Sequence, residues 1–248
     1  MSLAVILNAD DLGMSVDVNE TAFDLMRKGR ITSATILANA PATHHAVGCA
    51  SRFPAISFGV HLNLTQFEPL TGGPGARLLV DGCGEMTRAN ETARPTPARL
   101  RAIYEELSAQ VERLAALGVR ISHFDSHNHA HTRPWLFPVL KELQQRFGVR
   151  RVRLSKNLYA PDAPCPATLR WKKRAFNWAL KSVYRTRTTD AFTEFLTYYR
   201  GFEGPRTLRS IELMLHPGAP YAAEETAILE NGWRPDPNAR LISYAQLG

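Results

Sequence analysis

Stretches that read as β-strands alternate with stretches of helical periodicity along 248 residues, and the polar motifs fall where the strands end. Together these observations predict an α/β protein with a mostly parallel sheet. The alternation leaves open whether that sheet closes into a barrel or stays open and doubly wound. A chain of this length that is 44% hydrophobic can bury one large core, so a single domain is expected.

The first strand is read at Ala4–Ala9, an apolar run that ends on two adjacent carboxylates, Asp10 and Asp11. Such a pair repels itself and loses hydration if covered, so a metal ion, an arginine or a helix N-terminus should lie nearby. A helix follows from about Ser15 to Lys28, where Val16, Asn19 and Phe23 recur at helical intervals and Gly29 supplies a stop. Ser33–Ala38 reads as a strand, His44–Ser51 as a helix and Ser57–Leu64 as a strand again. Residues 66–97 are rich in Gly, Pro and Thr and read as a long loop or insertion. The next helix, Pro97–Leu117, has Leu100, Ile103, Leu107, Val111 and Leu114 on one face and ends at Gly118. Ile121–Ser126 is a strand, Trp135–Phe147 a helix and Arg151–Leu154 a strand. After a basic helical segment at about 164–187 come a helix start near Thr207, a strand at Ile211–Leu215 and a last helix near Glu224–Asn231.

Composition excludes several classes. No apolar run approaches the roughly 20 residues of a membrane span, and Leu3–Leu7 is shorter than the core of a signal peptide, about 7–15 residues. A cytoplasmic protein is therefore expected. Cys49, Cys83 and Cys165 form no CxxC pair and read as reduced thiols. No GxGxxG follows the first strand and no P-loop is present. The formal charge of +7 is unevenly placed: residues 146–187 carry 12 Lys or Arg against one acid, Asp162, interleaved with Trp171, Phe176, Trp178 and Tyr184. A basic amphipathic helix could meet an anionic membrane, a nucleic acid or an acidic ligand. The favoured reading is plainer, a solvated helix whose aromatic residues dock on the core.

NADD, GVHLNL, HFDSHNHAH, VRLS and MLHPG all stand at or near predicted strand ends, although they are scattered over most of the chain. In a barrel those ends converge on one face, where catalytic residues collect. If DSHNHAH is extended, Asp125, His127, His129 and His131 point the same way. Three imidazoles and a carboxylate suit a borderline divalent ion such as zinc. In GVHLNL, Val60, Leu62 and Leu64 face one side, leaving His61 and Asn63 on the other. With Asp11 and His127, His61 completes a set of two histidines and one carboxylate that leaves positions open for water and substrate, the mark of a catalytic metal site.

NADDLG, GVHLNLT, HFDSHNHAH and ELMLHPG, in this order and spacing, resemble the YdjC-like carbohydrate deacetylases, the family that includes chitooligosaccharide deacetylase and hopanoid-biosynthesis-associated members. The resemblance runs from Leu3 to the ISY of Ile242–Tyr244; residues 66–97 and 164–187 match no part of the pattern. It implies a distorted (β/α) TIM-like barrel and metal-dependent hydrolysis of the N-acetyl group of an amino sugar. It makes Asp11, His61 and His127 the ligands of one divalent ion, zinc or magnesium, with cobalt or manganese as alternatives. It makes Asp10 the general base, His216 the general acid or oxyanion partner, and Arg153 the strand-end arginine that orients a site carboxylate or contacts substrate. His129, His131 and Asn63 remain for substrate or supporting roles. Two departures, Leu12 in place of an aromatic and Asn128 in place of a lysine or uncharged polar residue, bear on substrate more than on chemistry.

The chemistry of the residues agrees. A divalent ion lowers the pKa of water from 15.7 to as low as about 7, Asp10 takes the proton, and His216 protonates the leaving amine. The expected partner is a small carbohydrate or glycolipid, with the aromatic residues of 164–187 bordering its cleft. Nucleic acid is not expected, whereas peripheral membrane contact and a homodimer stay open. The alternatives are a two-metal phosphoesterase built on the same Asp and His residues with Arg153 on the phosphate, and a non-enzymatic binder of anionic membrane or nucleic acid acting through 146–187.

Overall fold

The first strand, β1 (Ala4–Leu12), has all nine residues buried and runs through the middle of the sheet. The computed structural model describes residues 2–203 and 207–248. β1 pairs in parallel with β2 (Ser33–Ile36) on one side and β6 (Ser210–Leu215) on the other. β3 (Ser57–Leu62) and β4 (Ile121–Ser126) continue beyond β2, and β5 (Ala191–Glu194) beyond β6, giving the order β4-β3-β2-β1-β6-β5. A short β7 (Arg240–Leu241) pairs with the start of β1. Helices fill the crossovers: α1 (Val16–Arg27), α2 (Thr43–Ala50), α5 (Pro97–Ala116), α6 (Phe137–Phe147), α7 (Ala167–Ser182), α8 (Phe195–Arg200) and α9 (Ala223–Glu230). Strands buried on both faces read as apolar runs, which is why β1 and β6 were legible.

The sheet curls, and irregular chain bridges its two edges. Phe124 of β4 exchanges backbone hydrogen bonds with Arg151 and Arg153, while Val152 and Arg150 bond Arg187, and Asn157 donates to Phe192 of β5. Residues 150–157 therefore occupy the place of a barrel strand with little ladder of their own, and the predicted strand Arg151–Leu154 reduces to isolated bridges at Arg151 and Val152. The fold is the expected single α/β domain with a distorted, barrel-like sheet.

Other elements differ from the sequence reading. Residues 66–97 are not wholly loop but hold two short helices, α3 (Gly73–Ala76) and α4 (Ala89–Thr92). β5 and α8 went unread because AFTE is too short to show a period before the aromatic FLTYYR. Among the described residues no helix starts near Thr207: residues 207–209 lead directly into β6, and 204–206 lie outside the described residues. DSHNHAH is not extended, since the strand ends at Ser126 and His127–Thr132 form a tight helical turn with Asn128 and His129 at φ 53° and 57°. No helix among the described residues is long and apolar enough to cross a membrane.

Two bulges set the site. In β1 the register against β2 slips between Ala9 and Leu12, and Asp11 takes a left-handed φ of 65°. In β4 one extra residue lies opposite β3 between the Phe58–Ile121 and Val60–Phe124 pairs. That bulge presses His123 onto Gly59, where an added Cβ would stand 2.6 Å from the His123 carbonyl oxygen and 2.7 Å from its imidazole. The His123 ring, in turn, stacks on Tyr244 at 3.7 Å between centroids. Gly59→Ala should thus force the bulge apart and destabilise the fold by about 2 kcal/mol or more; urea unfolding measures it, and a loss below a few tenths would show that β4 yields freely.

Candidate metal centre and active-site cleft

Adjacent residues of a strand normally face opposite ways. The bulge at Asp10 and Asp11 removes that constraint, because the left-handed Asp11 turns its carboxylate to the same side as its neighbour. The turn resides in Asp11 itself, with Gly13 at φ 97° following it. Both carboxylates open onto a cleft of about 940 Å³ that His61, His127, His129 and His216 also line.

Asp11, His61 and His127 offer ligand atoms that all lie within 4.8 Å of one another. Asp11 Oδ1 stands 3.1 Å from His61 Nε2 and 2.8 Å from His127 Nδ1. The far nitrogen of each ring is held as well. His61 Nδ1 donates to Asp125 Oδ1 at 2.7 Å, and His127 Nε2 lies 3.1 Å from Gln66 Oε1. Anchoring the second nitrogen to an acceptor fixes the orientation of the ring and raises its basicity, the arrangement that metal-binding histidines use. Burial opposes charge on both partners, yet the two imidazoles hold Asp11 well below the usual carboxylate range, and Asp125 and Asp11 push His61 up to about 10. A strongly cation-seeking pocket is what such mutual stabilisation describes.

Directly beneath lies Arg153, with no exposed side-chain surface. Its two terminal nitrogens donate to Asp10 at 2.6 Å each, Nε donates to Glu212 at 2.8 Å, and Nη2 stands 3.0 Å from Asp125. Burial alone would raise the pKa of Asp10, but the Arg153 charge and its paired hydrogen bonds hold it far below its ordinary value. Three buried carboxylates, Asp10, Asp125 and Glu212, face this single guanidinium, while a fourth, Asp11, faces the two imidazoles. Burial pushes Glu212 up to about 7, and the Tyr244 hydroxyl donates to it. A proton on Glu212 and a divalent cation among Asp11, His61 and His127 would bring the interior to neutrality, so the donor set fits such an ion in number, type and charge.

The second cluster of possible ligands, Asp10, His61 and Asp125, shares His61, and both its carboxylates are already paired with Arg153. A permanent cation therefore stands where a second metal would need to bind. His129 lines the cleft, its Nδ1 without a partner among the described residues, and burial together with the Arg153 charge lowers it to about 4, leaving it neutral. His216 lies at the end of β6, its backbone N–H donating 2.5 Å to buried Glu225, and its ring meets Tyr221 edge-on at 5.4 Å.

Sequence reasoning brought Asp10, Asp11, His61, His127, His129 and His216 to one cleft, and the structure brings them there too. Arg153 pairs with Asp10 and does not line the cleft. His131 and Asn63 do not reach it: His131 bonds Ser126 Oγ and the Arg153 carbonyl, and the Asn63 amide donates to Asn39 and Gln66 and accepts from Thr65. Both bond the loops that carry other site residues and stand away from the cleft, which corrects their expected place beside substrate. The residues of 164–187 do not line the cleft either, which corrects their expected place beside substrate. Asp125, read as a carboxylate aligned with the three histidines for a divalent ion, instead bonds His61 Nδ1 and Arg153, and Gln66, Glu212 and Tyr244 were given no role. A lone acid inside the apolar strand SIELML was the visible signal for Glu212.

Comparison with known proteins agrees with this architecture. The model of the family described as YdjC-like protein matches residues 4–241. The chain is 39% identical over 147 residues to a protein of Vibrio campbellii named carbohydrate deacetylase, and 39% identical over 153 residues to one of the same name from Geobacillus stearothermophilus. These matches cover 59% and 61% of this chain and 57% and 60% of the relatives, so the chain spans a little over half the length of the curated relatives it matches. A crystal structure from Enterococcus faecalis V583, provisionally described as a cellobiose-phosphate cleavage protein, covers 100% of this chain and 99% of its own at 20% identity, with a TM-score of 0.73. At that identity the likeness is one of fold.

The charge balance gives a test independent of chemistry. A carboxyl whose folded pKa is about 7 against an ordinary 4.5 contributes fully below pH 4.5 and loses its contribution as pH rises through 7. Glu212→Gln removes that loss, so its melting temperature relative to the parent should climb between pH 4.5 and 7; melting curves that stay parallel would show Glu212 ionised throughout.

Proposed function

The chain belongs to the YdjC-like protein family, and from that membership we propose that it is a metal-dependent carbohydrate N-deacetylase. It hydrolyses the N-acetyl amide of an amino sugar, in an oligosaccharide or a glycolipid, to acetate and a free amine. The observation that carries this reading is the convergence of Asp11, His61 and His127 beside an arginine-clamped Asp10 in one cleft. The relatives named carbohydrate deacetylase support the substrate class.

Asp11, His61 Nε2 and His127 Nδ1 would hold a divalent cation, zinc or magnesium with cobalt or manganese as alternatives, which supplies Lewis acidity to an acyl oxygen and acidity to water. Asp10 receives the proton. A carboxylate has about four lone-pair sites; Arg153 and Asn8 take both on Oδ1, Arg153 takes one on Oδ2, and the remaining Oδ2 lone pair is free for that proton. Because Arg153 keeps Asp10 ionised, its availability does not vary across working pH. His216, fixed through its backbone by Glu225, delivers a proton to the amine nitrogen as the C–N bond breaks. Neutral His129 contacts the sugar through its unpartnered nitrogen. The two-metal phosphoesterase is disfavoured because Arg153 occupies the second cluster.

Asp10→Asn should reduce acetate release from N-acetylglucosamine oligomers by about 10²–10⁴-fold while leaving metal content per chain unchanged by elemental analysis. His61→Ala should lose metal and activity together. An unchanged rate in Asp10→Asn would remove the proposed base, and phosphate release from phosphoesters with two metals per chain would replace the reading.

A further inference from the structure

We infer that α7 is an interfacial helix that docks the protein on an anionic lipid bilayer. α7 buries Phe176, Asn177 and Leu180 against the barrel, with Phe176 meeting Phe137 edge-on at 5.8 Å and Asn177 bonded to the Ser155 backbone. Helical spacing places Trp171 and Trp178, seven residues apart, together on the side opposite that stripe. They are 68% and 72% exposed. The favoured sequence reading, aromatics docked on the core, therefore holds for Phe176 and fails for both tryptophans.

Arg170, Lys172, Arg174 and Lys181 surround the indoles, α7 contains no acidic residue, and Arg174 lies over the Trp171 ring at 5.1 Å. Among the described residues none of these four cations pairs with a carboxylate, whereas Lys156, on the stretch that precedes the helix, pairs with Glu194. Apart from the Arg174–Trp171 contact and a hydrogen bond from Arg170 to the Cys165 carbonyl, the fold uses neither the indoles nor the charges in its own packing. A headgroup layer takes both at once: cations meet lipid phosphates, and amphipathic indoles settle between headgroup and acyl chain. A nucleic acid duplex would take the cations and leave the indoles without bases to stack on. The surface is distinct from the cleft, so the inference does not depend on the reaction proposed above.

The test is co-sedimentation of the full chain with vesicles of phosphatidylcholine alone or mixed with phosphatidylglycerol, read alongside tryptophan emission. Binding should require phosphatidylglycerol, weaken with salt and shift the emission to the blue. The double variant Trp171→Ala, Trp178→Ala should lose at least roughly tenfold in vesicle partitioning and most of the shift, with its melting temperature preserved. Arg170→Gln combined with Arg174→Gln and Lys181→Gln should lose the salt-dependent part. No binding to phosphatidylglycerol vesicles, or binding unchanged in the tryptophan variant, would overturn the inference. So would binding to a DNA duplex tighter than to those vesicles.

Discussion

A guanidinium buried among three carboxylates organises this protein. Removing Arg153 from water is costly and is offset only because every one of its nitrogens meets an anion: Asp10 from β1, Asp125 from β4 and Glu212 from β6. Arg153 itself sits on the stretch 150–157, the part of the barrel wall with the least ladder. Three well-paired strands are thereby tied through the barrel interior to the one weakly paired segment. The Phe192 ring lies 4.8 Å from the guanidinium and His131 holds the Arg153 carbonyl, so the β5 side and the His127–Thr132 turn are bound to the same point.

The same interaction separates the tasks of two neighbouring aspartates. Asp10 is neutralised from below by a fixed organic cation and stays free of the metal cluster, while Asp11, turned by the bulge, is left to the imidazoles above. His61 bridges the layers, with one nitrogen on Asp11 and the other on Asp125, which also receives Arg153 and the Thr35 hydroxyl. The alternation of cationic and anionic groups keeps each charge paired beneath the floor of the cleft, as a low-dielectric interior demands.

Much of this was legible because it depends on local pattern. The buried parallel strands announce themselves as apolar runs, and Asp10, Asp11, His61, His127 and His216 are polar residues placed where such runs end. Their shared face follows from the parallel topology. The histidines of DSHNHAH show where local reasoning stopped. An extended stretch would have aligned all three, but two consecutive left-handed residues separate them, sending His127 and His129 to the cleft and His131 to the backbone beneath it. Left-handed conformation at Asn128 and His129 has no signature in residue type strong enough to be read, because only glycine adopts it without cost.

By itself the sequence determined the α/β class, the strand-end constellation and the basic, aromatic character of the segment that became α7, since each is a matter of residue type and period. Only the tertiary structure decided which carboxylate faces Arg153 and which faces the imidazoles, that His131 and Asn63 support rather than contact, and that two tryptophans turn outward. Those outcomes rest on a one-residue slip in β1, two left-handed residues after β4 and the packing of α7 on the barrel. The pairing of the carboxylates depends on contacts between segments more than a hundred residues apart, such as Asp10 with Arg153, and no local pattern encodes it.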